Sequence, residues 1–392
     1  MTLTVLNDDE IRTLLEGLTA AELEGFRGAL VSALHEHSSA STQGSTGADG
    51  TSAIQQPERT SVHSTATGAT TLFMPSSSSV GNGVKVITLS SASTSTNTTS
   101  PSSAVIRPTG AIALFTPRGG PHGLLHASTL TAFRTALASL CLVRGREAVR
   151  NLVVFGCGEQ AYWHVRLALK ARGSHVERVV FVNPRASQTA REVVGRFVGR
   201  VEEDVKVREG WARCEFAVVI RDEEGEAYEE RLAALLREAD VVVCCTPSTE
   251  ELFDVGVLGE REEGKLVVAI GSYTPEMREV PVSLIRQAVQ REGGVVVVDT
   301  AEGVLKEAGE FIAAGVKREQ LVELGELTML NTAEARSTEQ SGKERESRLM
   351  RWLQTGNVIY KSVGLGLMDL TVGMYLVDFA TDRGIGTLVP GF

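Results

Sequence analysis

Aromatic residues make up only 5% of this 392-residue chain, and no apolar run approaches the roughly 20 residues that a membrane-crossing helix needs. The stretch from Met1 to Glu10 lacks a basic segment followed by an apolar one, so no secretory signal is expected there. Charge of one sign is also missing. Acidic residues outnumber basic ones 49 to 39, for a net charge of -10, and the two signs are interspersed. Nothing resembles a basic stripe able to neutralise a phosphate backbone, which argues against nucleic acid as a partner and for a small molecule. The five cysteines, Cys141, Cys157, Cys214, Cys244 and Cys245, show neither a Cys-x-x-Cys spacing nor an even disulfide framework. They are expected as small buried hydrophobes in a reducing, cytoplasmic compartment. His122, His126, His164 and His175 lack metal-ligand company, so no metal site is expected.

Against these absences stands one informative segment. Leu152, Val153, Val154 and Phe155 form a continuous apolar run of the kind a central parallel strand shows, and Gly156-Cys157-Gly158-Glu159-Gln160-Ala161 follows it directly. The first glycine permits a tight turn, the second lets backbone approach phosphate oxygens, and Ala161 allows close packing of helix on strand. Ala161, Val165, Ala168 and Leu169 then mark one face of a helix that Gly173 can terminate, and Arg178 to Asn183 reads as the next strand. This strand, helix, strand order predicts a dinucleotide site with the diphosphate at the helix N-terminus.

The length suits two domains. A strand is expected at Leu3–Leu6, a helix from about Asp8, a second helix from Ala20 to His35, and short strands at Thr71–Met74, Val84–Leu89 and Ala111–Phe115. Residues 38–71 and 90–103 are rich in Ser and Thr, bury little apolar surface, and read as flexible insertions. A long helix from about Ser128 to Val143 connects the domains. Strands at Phe216–Ile220, Asp240–Cys245, Leu266–Ile270 and Val295–Asp299, with a helix near Tyr228–Arg237, complete a doubly wound sheet of order 3-2-1-4-5-6. The region from Asn357 to Ala380 reads as helix. The expected fold is α/β: a Rossmann sheet over 150–325, and a discontinuous α+β substrate-binding and dimerisation domain from 1–135 and 326–392.

Several separate blocks resemble the ornithine cyclodeaminase and mu-crystallin family. They are Leu130 to Ala136, the glycine turn, Ala239 to Ser248, Gly271-Ser272-Tyr273-Thr274-Pro275-Glu276-Met277-Arg278-Glu279, Val298-Asp299-Thr300 and Tyr360-Lys361-Ser362-Val363-Gly364. The resemblance implies an NAD(P)-dependent enzyme acting on the C–N bond of an amino or imino acid, a ketimine reductase or amino-acid dehydrogenase, working as a homodimer. It implies that Arg59, Lys85 and Arg134 hold a substrate carboxylate, for which a planar guanidinium and a compact ammonium are suited. It also implies a cofactor set of Thr135, Gly156, Cys157, Gly158, Glu159, Gln160, Ala161, Asn183, Arg185, Thr246, Pro247, Ser248, Gly271, Ser272, Ser362, Val363 and Gly364.

Tyr273 stands where the cyclodeaminases carry their catalytic aspartate, and with a reference pKa of about 10 a phenol is a poor proton acceptor near neutrality. Ornithine cyclisation with ammonia loss is therefore the alternative and not the main reading; a non-catalytic NADPH-dependent binding protein of the mu-crystallin type is the other. Asn183-Pro184-Arg185 offers no acid for a ribose 2′-hydroxyl, which favours NADPH over NADH. Lys85 and Arg134 are the catalytic candidates, with Lys85 delivering a proton or polarising the imine nitrogen and a bound water as the competing donor. Asp299 and Asp369 are read as catalytic or as capping residues.

Overall fold

The computed structural model describes residues 2–43, 54–90, 109–259, 264–290, 294–329 and 340–392. Its contacts divide the chain into two units: Met1–Arg134 with Leu365–Phe392, and Thr135–Gly364.

The first unit is built on a seven-stranded sheet of β1 (Thr2–Leu6), β2 (Thr60–His63), β3 (Ala69–Ser78), β4 (Gly81–Ser90), β5 (Thr109–Phe115), β6 (Pro121–His126) and β15 (Thr387–Pro390), in the order β15-β1-β6-β5-β4-β3-β2. Helices α1 (Asp8–Glu16), α2 (Ala20–Gln43) and α14 (Gly366–Thr381) accompany it, and α3 (Ala127–Val143) begins here. Asn7 and Glu10 close a reciprocal capping box on α1, which fixes where that helix starts. Strand alternation gives the sheet two different faces. Leu6, Leu125, Ile112, Lys85 and Met74 form one cross-strand row, all buried, on the side covered by α14. Val5, Leu124, Ala113, Val84 and Pro75 form the neighbouring row on the opposite face and are only partly covered.

The Ser/Thr-rich stretch 38–71 differs from its reading as one flexible insertion. The second helix runs on to Gln43, and Thr60–His63 and Ala69–Thr71 are strand. Hydroxyl residues tolerate a sheet well when paired, as Thr71 Oγ1 and Thr88 Oγ1 are at 2.9 Å across β3 and β4. Residues 44–53 of that stretch and 91–103 of the second one lie outside the described residues. The strand β6 was not expected, because Pro121-His122-Gly123 hides the start of its apolar alternation.

The second unit holds an eight-stranded parallel sheet: β7 (Asn151–Phe155), β8 (Arg178–Asn183), β9 (Glu215–Ile220), β10 (Val241–Cys244), β11 (Leu266–Ala269), β12 (Val296–Val298), β13 (Leu321–Glu323) and β14 (Val358–Lys361). The order is β13-β12-β14-β11-β10-β7-β8-β9. The helices are α4 (Glu159–Arg172), α5 (Gln188–Val198), α6 (Glu203–Glu209), α7 (Arg221–Glu224), α8 (Tyr228–Glu238), α9 (Val282–Gln290), α10 (Ala301–Glu307), α11 (Gly309–Ala314), α12 (Leu324–Met329) and α13 (Gln340–Thr355). Val153, Phe155, Val180, Val242, Val267, Val298 and Ile359 belong to one continuous core beneath it. Each such side chain contributes roughly 1.5–3 kcal/mol by leaving water.

The doubly wound α/β sheet expected from the sequence is present, with two strands beyond the six expected: β13 adds to the edge next to β12, and a second one changes the order. Val358–Lys361, read as the start of a helix, is a strand that inserts between β11 and β12, pairing with both. A four-residue run has too little length to distinguish strand from helix by periodicity. For the same reason the chain leaves this unit at Gly364 and not at residue 326. Gly173 ends α4 in a right-handed conformation (φ -53), so it is not a left-handed cap; a Cβ there would collide with Glu209 O and crowd Trp211.

Candidate functional site

In the first unit, the pattern Val84-Lys85-Val86-Ile87 places a lysine in an otherwise apolar inward row, and α14 answers it with a carboxylate. Lys85 Nζ lies 2.8 Å from Asp369 Oδ2, and Arg134 Nε lies 3.2 Å from Asp369 Oδ1. All three residues are buried. Arg134 also reaches Met368 Sδ at 3.3 Å. Lys85 thus has one negative neighbour, Asp369, and two positive ones, Arg134 and Arg59. Burial pulls its ammonium from 10.5 down to about 8, and Asp369 pulls it partly back. Burying charge costs several kcal/mol per ion unless it is compensated, so cations converging on a single carboxylate are suited to a further anion. Asp369, weighed in the sequence as a catalytic or capping residue, is the shared counter-ion.

In the second unit, β7 delivers the glycine turn. Gly156 has φ 102, its N–H donates to Val182 O at 2.8 Å, and a Cβ on it would press on Cys245 O. Only glycine adopts that conformation without strain. Gly158 is the N-cap of α4 with no side-chain cap, and a Cβ built on it meets nothing within 4 Å. Open space beside uncapped amides at the start of a 14-residue helix fits a diphosphate. Ala161 is fully buried. Glu159 is held by Arg196 at 2.8 Å, and Arg196 stacks 3.5 Å from the Tyr162 ring centroid. At the end of β8, Asn183 Nδ2 donates to Arg185 O at 2.6 Å, and Arg185 is exposed. A nicotinamide dinucleotide therefore fits the residues of this turn.

The loops after β10, β11 and β14 are tied down by two buried carboxylates. Glu279 accepts from the N–H groups of Thr246 (2.9 Å), Gly271 (2.6 Å) and Ser272 (3.0 Å). Asp299 accepts from Ser362 Oγ (2.7 Å) and from the N–H groups of Thr300 (2.8 Å) and Gly364 (2.8 Å). Asp299 is accordingly a loop anchor. The hydroxyls of both serines are engaged internally, Ser362 Oγ on Asp299 and Ser272 Oγ donating to Glu310 Oε1 at 2.6 Å. Ser248 Oγ donates to Glu250 O at 2.6 Å. Thr135 O accepts from Ser139 Oγ, which also meets His164 Nε2 at 2.9 Å. His164 is a packed neutral residue, its pKa lowered to about 4 by burial. His126 pairs with Asp8 and His122 with Asp378. All five cysteines are free; Cys157 and Cys244 are buried, while Cys141, Cys214 and Cys245 are only partly so, which departs from the uniform burial expected. Among the described residues no cluster of three or more His, Cys, Asp or Glu could hold a metal, and no helix is long and apolar enough to cross a membrane.

The model of the ornithine cyclodeaminase/mu-crystallin family matches residues 27–383. The chain belongs to this family. A Delta(1)-pyrroline-2-carboxylate reductase of Bacillus cereus is 28% identical over 281 residues, 69% of this chain and 70% of that protein. Among solved structures, the Delta(1)-pyrroline-2-carboxylate reductase of Thermococcus litoralis with NADH and L-proline superposes with a TM-score of 0.69 at 19% identity, covering 98% of this chain and 99% of that one. The iminosuccinate reductase of Paracoccus denitrificans with NAD+ gives 0.69 at 20% identity, covering 99% of both chains. A probable ornithine cyclodeaminase from Bordetella pertussis gives 0.65 at 21%, covering 98% of this chain and 99% of that one.

Within this family member, the sequence pointed to Lys85, Arg134 and the glycine turn but assigned no part to Glu279, Glu310 or Lys361. Their signal was present: three charged residues next to runs such as Val358-Ile359-Tyr360 and Phe311-Ile312, where solvated side chains are not expected.

Proposed function

We propose that this family member is a nicotinamide-dependent oxidoreductase that reduces the C=N bond of a small imino acid, a cyclic ketimine carboxylate or the imine of a 2-oxo acid, or runs the reverse oxidation. The observation that carries this reading is the pair of buried cations, Lys85 and Arg134, sharing one carboxylate. They hold the substrate carboxylate, with Arg59 as the third cation. The residues of the glycine turn hold the diphosphate, and the cofactor, when bound, supplies or accepts the hydride at the imine carbon. Lys85 carries the proton: with an ammonium drawn to about 8, Nζ is charged near neutral pH yet gives its proton up readily to the nitrogen that becomes an amine. The names of the reductase relatives support this class.

The lack of an acid at Asn183 supports NADPH over NADH. The half-covered apolar row Val5, Leu124, Ala113, Val84 and Pro75, with the exposed Phe73 beside it, supports a homodimer formed on that sheet face, and the five free cysteines support a cytoplasmic location. Cofactor oxidation followed by nicotinamide absorbance, with a panel of cyclic imine-2-carboxylates and of 2-oxo acids plus amines, tests the activity. Turnover requiring the carboxylate is expected; no turnover with any of them sinks the reading. Light scattering of the purified protein tests the dimer.

A further inference from the structure

Three ionisable side chains that take no part in the proposed chemistry lie fully buried together in the second unit. Lys361, the last residue of β14, places Nζ 2.6 Å from Ser272 O, in contact with Ser272 Oγ, 3.2 Å from Glu310 Oε1 and 3.9 Å from Glu279 Oε2. Lys361, Glu279 and Glu310 are each 0% exposed. Two carboxylates and one ammonium make an expensive interior, and apolar residues of similar volume would hold the same elements together as well or better. Its polarity is spent on backbone. Glu279 uses both oxygens on the N–H groups of Thr246, Gly271 and Ser272, which begin the loops after β10 and β11, while Lys361 binds the carbonyl of Ser272 from the end of β14. The ends of three adjacent strands are therefore fixed to one another. Gly271 packs so closely that any Cβ would run into the Glu279 carboxylate and Thr246 O. Because a trans peptide points its N–H and C=O to opposite sides, the carbonyls of Cys245, Ile270 and Gly271 are turned away from Glu279.

We propose that Glu279, braced by Lys361 and Glu310, is a positioning residue that sets the Thr246 and Gly271–Ser272 loops for the nicotinamide half of the cofactor. This rests on the nicotinamide-dependent reading above. The diphosphate and adenosine half depends on the glycine turn and β8, to which Glu279, Lys361 and Glu310 make no hydrogen bond or ion pair although Cys245 and Thr246 border Gly156, so a shift of these loops is expected to weigh most on the nicotinamide half. The groups facing Glu279 are Lys361 from β14, Glu310 from α11, and the thiols of Cys244 and Cys245, both kept neutral by burial. Burial pushes the Glu279 carboxyl up to about 7, against the pull of Lys361, and Glu310 adds to the rise. Protonation of Glu279 removes an acceptor from the loop amides, so the arrangement weakens as pH falls through that value.

The test measures binding of NAD(P)H and of ADP-ribose to the intact protein and to Glu279→Gln and Glu310→Gln, by fluorescence and calorimetry, across pH. In Glu279→Gln, NAD(P)H is expected to bind about tenfold more weakly, as for a lost charged acceptor, with ADP-ribose within twofold. In Glu310→Gln, which keeps an acceptor for Lys361 and Ser272, the acid-side weakening of NAD(P)H binding moves to lower pH because one neighbouring negative charge is gone. Equal weakening of both ligands, or an acid limb that stays in place in Glu310→Gln, overturns the proposal. Neither readout needs turnover, so a failure of the proposed imine reduction in the unmodified protein would be seen separately.

Discussion

Lys85 Nζ and Asp369 Oδ2 stand 2.8 Å apart inside the first unit, and Asp369 strengthens the hold of Lys85 on its proton against the larger effect of burial. Lys85 is an ammonium below about 8 and neutral above it, because burial outweighs the pull of Asp369. Imine reduction that draws its proton from Lys85 should therefore fall as pH rises through about 8. Asp369→Asn removes the upward pull, so the alkaline limb of kcat/KM should move to lower pH, and each unit of movement corresponds to about 1.4 kcal/mol. A limb that stays put would remove Lys85 from the role of proton carrier.

Arg134 offers a planar fork that Lys does not. Arg134→Lys should keep the charge yet raise KM for the substrate carboxylate about tenfold, and Arg134→Met should lower kcat/KM by about a hundredfold, in line with a lost charged hydrogen bond worth roughly 1.5–3 kcal/mol. Steady-state kinetics with cofactor saturating checks both. An unchanged KM in Arg134→Met would place the carboxylate elsewhere.

Gly156 sits at φ 102 with Cys245 O against its missing Cβ. Gly156→Ala should weaken nicotinamide dinucleotide binding about tenfold, since a left-handed non-glycine residue costs roughly 1–2 kcal/mol, which the free protein sheds by moving the turn and binding must restore. Calorimetric titration with NADPH and NADH measures this, and wild-type affinity would argue that the turn does not hold the diphosphate.

Tyr273 follows Ser272 in the loop after β11, where the cyclodeaminases carry a carboxylate. Ornithine with catalytic NAD+ should yield neither proline nor ammonia. Ammonia release in a coupled assay would restore cyclodeaminase chemistry as an activity of this chain.

Arg166 grips Glu209 with both terminal nitrogens, at 2.6 and 2.9 Å, and Lys170 and Trp211 share the same carboxylate. Burial raises the Glu209 carboxyl, but Arg166 and its neighbours more than reverse this and leave it low. Arg166→Met removes two charged hydrogen bonds from the buried Glu209 and leaves it to Lys170 and Trp211, so stability should drop by about 3 kcal/mol. Thermal unfolding should show a Tm lower by roughly 6–12 °C.

Elements whose signal is local were legible from the residues. The apolar run of β7 followed by glycines has a fixed meaning within ten positions, because strand burial, turn geometry and helix start are all decided by near neighbours. Lys85 was legible for a related reason: a cation in the middle of an apolar strand contradicts its surroundings. Within the described part of the first Ser/Thr-rich stretch the reading misled, since hydroxyl residues resemble linker until a partner strand satisfies them, as Thr88 does for Thr71.

From its order of residues alone, the chain dictates a nucleotide-type turn, a family of imino-acid chemistry and the cations that suit a carboxylate. Folding in space decided the rest. Asp369 reaches Arg134 across 235 positions of sequence, and Glu279, Glu310 and Lys361 meet only because β14 slides between β11 and β12. Buried charge has no periodicity and no preferred spacing; its partners are chosen by desolvation, which acts on whatever the packed strands bring within reach.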